Sequence, residues 1–270
     1  MKKLAVLMAV CFAGTMGATP AGAQDASGWL AHDSHVRTRI VAADVKGETV
    51  YGWEAEMAPG WKTYWRSPGE AGLPVTVAVD GNPVEPLYPL PHRFELFGLV
   101  TYGYDGRLIL PFKADAAAGD AVSVGFMVCK DICIPYDGSY SLPATEGGAT
   151  AIRMEAALKA VPDRDGDGGA GLEISKVQAT GQVGHERLIV TVRGADALDA
   201  ADLLVEGDEA IQFGVAERRL MEGGMAARFV VPTALTRAGE KAGLSLKGQT
   251  VRLTFTDGRG HAIDRSIAIP

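Results

Sequence analysis

Cysteine is scarce: three residues in 270, at positions 11, 129 and 133. That excludes the disulfide framework on which small secreted domains depend, and a chain of this length buries enough core to fold without one. Beyond the first two dozen residues there is no apolar run near the ~20 residues that a membrane-spanning helix requires, so no span is expected. Basic residues are the minority, 26 against 33 acidic, for a formal charge of −7, and a nucleic-acid partner is not expected from that balance. The five histidines are scattered, and none stands beside the cysteine pair to complete a four-ligand zinc site.

What the chain does have begins with "MKKLAVLMAVCFAGTMGATPAGAQD". Lys2 and Lys3 precede an apolar run from Leu4 to about Ala13, and small residues follow. This reads as a signal peptide over residues 1–23, with Ala21 and Ala23 at the cleavage site and Gln24 as the new N-terminus. Cys11 leaves with it. A lipoprotein anchor at Cys11 fits worse, because Met8, Ala9 and Val10 do not supply the expected small residue next to the cysteine. The mature chain is expected to be soluble and periplasmic, with a formal charge of −9 once the two lysines are gone, in a compartment where disulfides persist.

From His35 onward, segments such as "HVRTRIVAADVKG", "ETVYGWEAEM" and "AVSVGFMVC" alternate or are rich in strand-forming residues, with Gly, Pro, Asp and Asn between them. The spacing predicts an antiparallel sandwich over residues 24–150. "YDGR" at 104–107 predicts a hairpin turn, since Asp-Gly tolerates positive φ. "TAIRMEAALKAVP" predicts one short helix with Met154, Leu158 and Val161 on a face, Thr150 as cap and Pro162 as stop, so residues 151–171 read as helix and linker. Within them, Asp163, Asp165, Asp167 and Gly168 open like an EF-hand loop, but position twelve is Ile174 and a strand pattern follows, which favours a solvated linker over a calcium site. Residues 172–270, including "RLIVTVRG", "AARFVVP" and the turn "TDGRGH", predict a second β-sandwich with no catalytic signature. The fold class is all-β.

The chemistry concentrates in "FMVCKDICIPYDGSY". Residues four apart on a straight strand lie about 13 Å apart at ~3.3 Å per residue, whereas a disulfide needs Cα atoms about 4.4–6.8 Å apart. Lys130, Asp131 and Ile132 would therefore have to form a tight turn. A disulfide closing so small a loop stabilises by only about 2 kcal/mol, and small loops at exposed tips favour exchangeable bonds. Lys130 favours the Cys129 thiolate and Asp131 opposes it. Three readings stay open on residue chemistry: redox exchange, an inert cystine, and Cu(I) held by the soft sulfurs of Met127, Cys129 and Cys133. No cofactor is called for.

Upstream, "GWKTYWRSPGEAGLP" at 60–74 gathers Trp61, Tyr64 and Trp65 beside Arg66, Pro68, Gly69 and Gly72, and "PLPHRFELFGLVTYGY" at 89–104 adds Phe94, Phe97, Tyr102 and Tyr104. Such residues are mostly core and turn, but they could also rim the cysteine pair. His92 reads as a surface residue, and Glu70 and Glu95 as candidate proton acceptors.

These two stretches followed by "CKDICIP" resemble the N-terminal periplasmic domain of the thiol:disulfide interchange protein DsbD, most closely the CxxxC variant of the copper-sensitivity suppressor ScsB, over about residues 30–145. The later block resembles the second sandwich-like part of the ScsB N-terminal region. The resemblance implies immunoglobulin-like sandwiches, thiol–disulfide exchange with Cys133 forming the mixed disulfide and Cys129 resolving it, and a Tyr/Phe cap over the pair. It also implies partners in trans: a membrane electron transporter of DsbD/ScsB type and thioredoxin-fold periplasmic proteins, since neither a transporter nor a thioredoxin-like domain is recognisable in this sequence.

Overall fold

The computed structural model describes residues 28–96, 98–165 and 169–270. The expected signal peptide with Cys11, its cleavage site after Ala23, Phe97, and Asp167 and Gly168 of the acid-rich loop lie outside the described residues.

The first lobe consists of β1 (Leu30–His32), β2 (Val36–Val45), β3 (Glu48–Met57), β4 (Lys62–Gly69), β5 (Thr76–Val79), β6 (Asn82–Val84), β7 (His92–Leu96), β8 (Leu99–Asp105), β9 (Arg107–Phe112), β10 (Ala121–Cys129) and β11 (Cys133–Ser141). One antiparallel sheet has the order β1-β2-β3-β9; the other runs β6-β5-β10-β4-β8-β7, with β11 also paired to β10. Period-2 alternation turns Val122, Val124, Phe126 and Val128 of β10 inward. There the Phe126 ring meets Trp53 of the facing sheet at 4.8 Å, inside one core that also holds Trp65, Leu110 and Phe112. A buried polar chain crosses the same gap: the Tyr140 and Thr38 hydroxyls lie 2.6 Å apart, and Thr38 lies 2.9 Å from His32 Nε2.

The smaller sheet is apolar on both faces, because helix α1 (Ala149–Lys159) covers its outside. This is why β2 reads "IVAA" without alternation: Val41 and Ala43 face Met154 of the helix while Ile40 and Ala42 face the sandwich. Burying Met154 contributes about 1.5–3 kcal/mol. Gly52 allows the approach, since a Cβ there would stand 2.7 Å from Ile109 and 2.9 Å from Met154.

Two local expectations need correction. The helix starts after Gly148, at φ +61°, and has no side-chain cap; Thr150 lies inside it and donates its hydroxyl to Glu146 instead. "YDGR" is not a hairpin turn, because β8 belongs to the larger sheet and β9 to the smaller, and Gly106 at φ +63° turns a corner between them. The positive φ was legible; which sheet each arm would join depends on distant strands.

After α1, β12 (Asp163–Arg164) pairs in parallel with the last strand of the second lobe. Asp165 accepts from Arg265, so this part of the acid-rich loop is tied to a sheet edge. The lobe continues through β13 (Glu173–Thr180), β14 (Arg187–Arg193), β15 (Asp202–Glu206), β16 (Ile211–Phe213), β17 (Glu217–Met221), β18 (Ala226–Leu235), α2 (Arg237–Ala242), β19 (Thr250–Thr256) and β20 (Ala262–Ala268). Among the described residues its sheets are β12-β20-β19-β15 and β13-β14-β18-β16, with β17 also on β18. Leu188, Val190, Phe229, Leu253 and Phe255 fill the space between them. The whole is all-β, two immunoglobulin-like sandwiches joined through a short helix.

The lobes meet through a polar seam. Arg66 of β4 donates to both carboxylate oxygens of Glu206 at 2.7–3.0 Å, to Thr254 at 2.9 Å and to Asp264 at 3.1 and 3.2 Å, while its guanidinium stacks 4.1 Å from the Trp65 ring. Arg93 of β7 donates to Asp202 at 2.5 Å.

Candidate redox site

Strands β10 and β11 pair without interruption from Ala121↔Ser141 to Cys129↔Cys133, and the chain reverses over Lys130, Asp131 and Ile132. Lys130 N–H donates to the carbonyl of Ile132 at 3.1 Å. This makes Cys129 and Cys133 a non-hydrogen-bonded cross-strand pair, the kind that brings opposite Cα atoms closest, to about 4.5 Å. The observed separation is 4.1 Å, and the sulfurs are bonded.

The two cysteines differ sharply in environment. Cys129 is 0% exposed, flanked by β4 through the register Cys129↔Lys62. Cys133, Lys130 and Asp131 are exposed, and Ile132 presents 64% of its surface at the tip. Cys133 is therefore the member of the pair open to solvent, with the apolar side chain of Ile132 beside it, while Cys129 is enclosed.

Among the described residues, Tyr64 is the aromatic residue at the sulfur, with its hydroxyl 3.7 Å from Cys133 Sγ. Burial pushes its phenol above the ordinary range, so it stays protonated and able to donate. Gly72 lies against the other side of the ring: a Cβ there would come within 2.3 Å of Tyr64, and φ is +106°. That accounts for a glycine in "PGEAGLP" in packing terms.

Lys62, not singled out in the sequence, sits two residues before Tyr64 on the same strand face. It is buried, donates Nζ to Thr101 Oγ1 at 2.8 Å and lies 4.8 Å over the Phe94 ring. Burial lowers its pKa. Its signal was available: a lysine between Trp61 and Tyr64 in a strand whose neighbours point inward. Lys62 thus fills the space between the disulfide ribbon and the β7–β8 hairpin.

The other aromatic candidates are mostly structural. Trp61 stacks on His35 with centroids 4.1 Å apart, Trp65 is buried beside Tyr102, and the Tyr104 hydroxyl donates to Pro89 O. Glu70 accepts from Val100 N–H at 2.6 Å, which ties the end of β4 to β8; Glu95 is exposed, as is His92, 3.7 Å from Asp105. Met127 lies half-buried on the same strand face as Cys129. Among the described residues no group of three or more His, Cys, Asp or Glu side chains is arranged to hold a metal ion. No described helix is long and apolar enough to cross a membrane.

Residues 31–145 match the family described as thiol:disulfide interchange protein DsbD, N-terminal, and residues 160–268 match a domain of unknown function, DUF8393. A search of curated proteins finds no match. Among solved structures, the chain is similar to the N-terminal periplasmic domain of ScsB from Proteus mirabilis, with a TM-score of 0.70 and 23% identity, covering 90% of this chain and 97% of that one. The first lobe thus resembles the N-terminal domain described for the thiol:disulfide interchange protein DsbD, and the chain as a whole has the fold of the N-terminal periplasmic domain of ScsB.

Proposed function

We propose that Cys129 and Cys133 cycle between disulfide and dithiol and relay electron pairs between partner proteins in the periplasm. The observation that carries this reading is the contrast between an exposed Cys133 and a fully buried Cys129 at the tip of one hairpin. The exchange proceeds in two displacements. In the delivering direction, the Cys133 thiolate attacks a partner disulfide, forms a Cys133–partner bond and expels one partner thiolate, which takes up a proton. The Cys129 thiolate then attacks Cys133 Sγ, restores the intramolecular disulfide and releases the second partner thiol. Two electrons and two protons pass to the partner, and the reverse sequence recharges the pair. Tyr64 donates to the Cys133 thiolate.

The partners implied are a membrane electron transporter of DsbD/ScsB type as donor and thioredoxin-fold periplasmic proteins as acceptors, met after signal-peptide removal near Ala23. A trapping experiment tests the roles. Expressed with its leader in a Gram-negative host, Cys129→Ser should accumulate a covalent, thiol-sensitive complex on Cys133, and Cys133→Ser should form none. Absence of any such complex from both variants removes the basis for the relay.

A further inference from the structure

Strand β15 has the sequence "DLLVE", and its alternation divides two cores. Leu203 and Val205 pack into the second lobe, while Asp202, Leu204 and Glu206 face the first, where Leu204 joins the core cluster itself. The two carboxylates at either end of that face take hold of different parts of the first lobe. Asp202 accepts from Arg93 of β7, the terminal strand of its sheet, whose guanidinium also lies 5.9 Å from the Tyr102 ring of β8. Glu206 accepts from Arg66, two residues beyond Tyr64. The gripped hairpin is the one that meets the disulfide ribbon through Lys62, which touches Thr101 of β8 and Phe94 of β7 and lies opposite Cys129 in register.

We propose that the second lobe positions the surroundings of the disulfide: Asp202, through Arg93, holds the β7–β8 hairpin against the Lys62 side of the ribbon, and Glu206, through Arg66, fixes the strand that carries Tyr64. The inference rests on the interchange reading for its purpose and on the interlobe geometry for its mechanics. Among the described residues β7 has a ladder partner on one side only, so the contact with Asp202 restrains an edge that backbone pairing leaves half-held. Asp202, Glu206, Arg66 and Arg93 are positioning residues, since none of them touches sulfur. A tethered hairpin limits the approach of small thiols from its side and leaves the tip at Ile132 and Cys133 open to a protein partner.

The test uses the full mature chain with two readouts, amide hydrogen exchange over residues 92–105 and the rate at which glutathione reduces the disulfide. Asp202→Asn should raise both about two- to fivefold, the range for loss of a partly exposed ion pair. The combined Arg93→Asp and Asp202→Arg variant should return both toward the parent values, which a merely destabilised lobe would not do; thermal midpoints identify general unfolding. Unchanged hairpin exchange in Asp202→Asn overturns the tether, whatever the chain does with thiols. Faster hairpin exchange with an unchanged glutathione rate overturns the link to the disulfide. Should both readouts respond while the Cys129→Ser trap captures nothing, the positioning role stands and the interchange reading falls.

Discussion

The hydroxyl of Tyr64 lies 3.7 Å from Cys133 Sγ, although Tyr64 itself is only 2% exposed. A buried, protonated phenol set against the sulfur of an otherwise exposed cysteine favours the thiolate once the bond opens, because a hydrogen bond to a charged acceptor is worth about 1.5–3 kcal/mol. Solvent around Cys133 places the effect at the low end. Tyr64→Phe should therefore raise the Cys133 thiol pKa by about one unit, 1.36 kcal/mol, and slow its alkylation at neutral pH several-fold. Thiolate absorbance against pH in the reduced protein reads the shift, and an unchanged titration would remove Tyr64 from the chemistry.

Gly72 and Gly119 form a matched pair for testing what keeps that hydroxyl in place. Both have strongly positive φ, +106° and +104°, but an added Cβ at 72 meets the Tyr64 ring whereas at 119 it meets nothing within 4 Å. Gly119→Ala should show only backbone strain, about 1 kcal/mol. Gly72→Ala should lose a further ~1–3 kcal/mol from overpacking and should also alter Cys133 reactivity. Urea unfolding and alkylation of both variants separate the contributions; equal losses would mean that the ring has room to move.

Buried His32 gives the first lobe an acid-sensitive point. Burial lowers its pKa, Asp33 only partly offsetting this, and its Nε2 lies 2.9 Å from Thr38 Oγ1 in the chain that ends at Tyr140. The folded state therefore binds the proton less readily than the unfolded chain, whose histidine titrates near 6.5. Stability should be steady above about that pH and fall as pH drops from there through the lowered folded value. His32→Gln should flatten this decline, as followed by denaturant midpoints across the acid range.

The sequence carried much of the local structure and little of the seam. The β10–β11 reversal was legible because two strand-forming runs flank Lys130, Asp131 and Ile132, and a Cα distance compatible with a disulfide permits little else. Helix α1 was legible from Met154 and Leu158, but its ends were not: Val161, expected on the same face, lies beyond Lys159, and Gly148 opens the helix through backbone freedom, which the more conspicuous Thr150 obscured. "YDGR" announced positive φ at Gly106 yet could not say that its two arms join different sheets. The seam was hidden for a different reason. Arg66 lies 140 residues from Glu206 and 198 from Asp264, and an arginine in a strand of aromatics gives no sign of what it will face. Asp202 and Glu206 read simply as the polar ends of a short strand, because alternation assigns faces but not the neighbour each face will meet.

The reduction potential of the Cys129–Cys133 pair, measured by equilibrating the mature protein in glutathione or dithiothreitol buffers, tests the cycling claim most directly. An exchangeable pair on a small loop with one exposed sulfur should lie between about −270 and −120 mV, the span of known thiol–disulfide exchangers. A value below about −300 mV, where structural cystines resist the cellular thiol pool, would mark the bond as a permanent cross-link and contradict the relay.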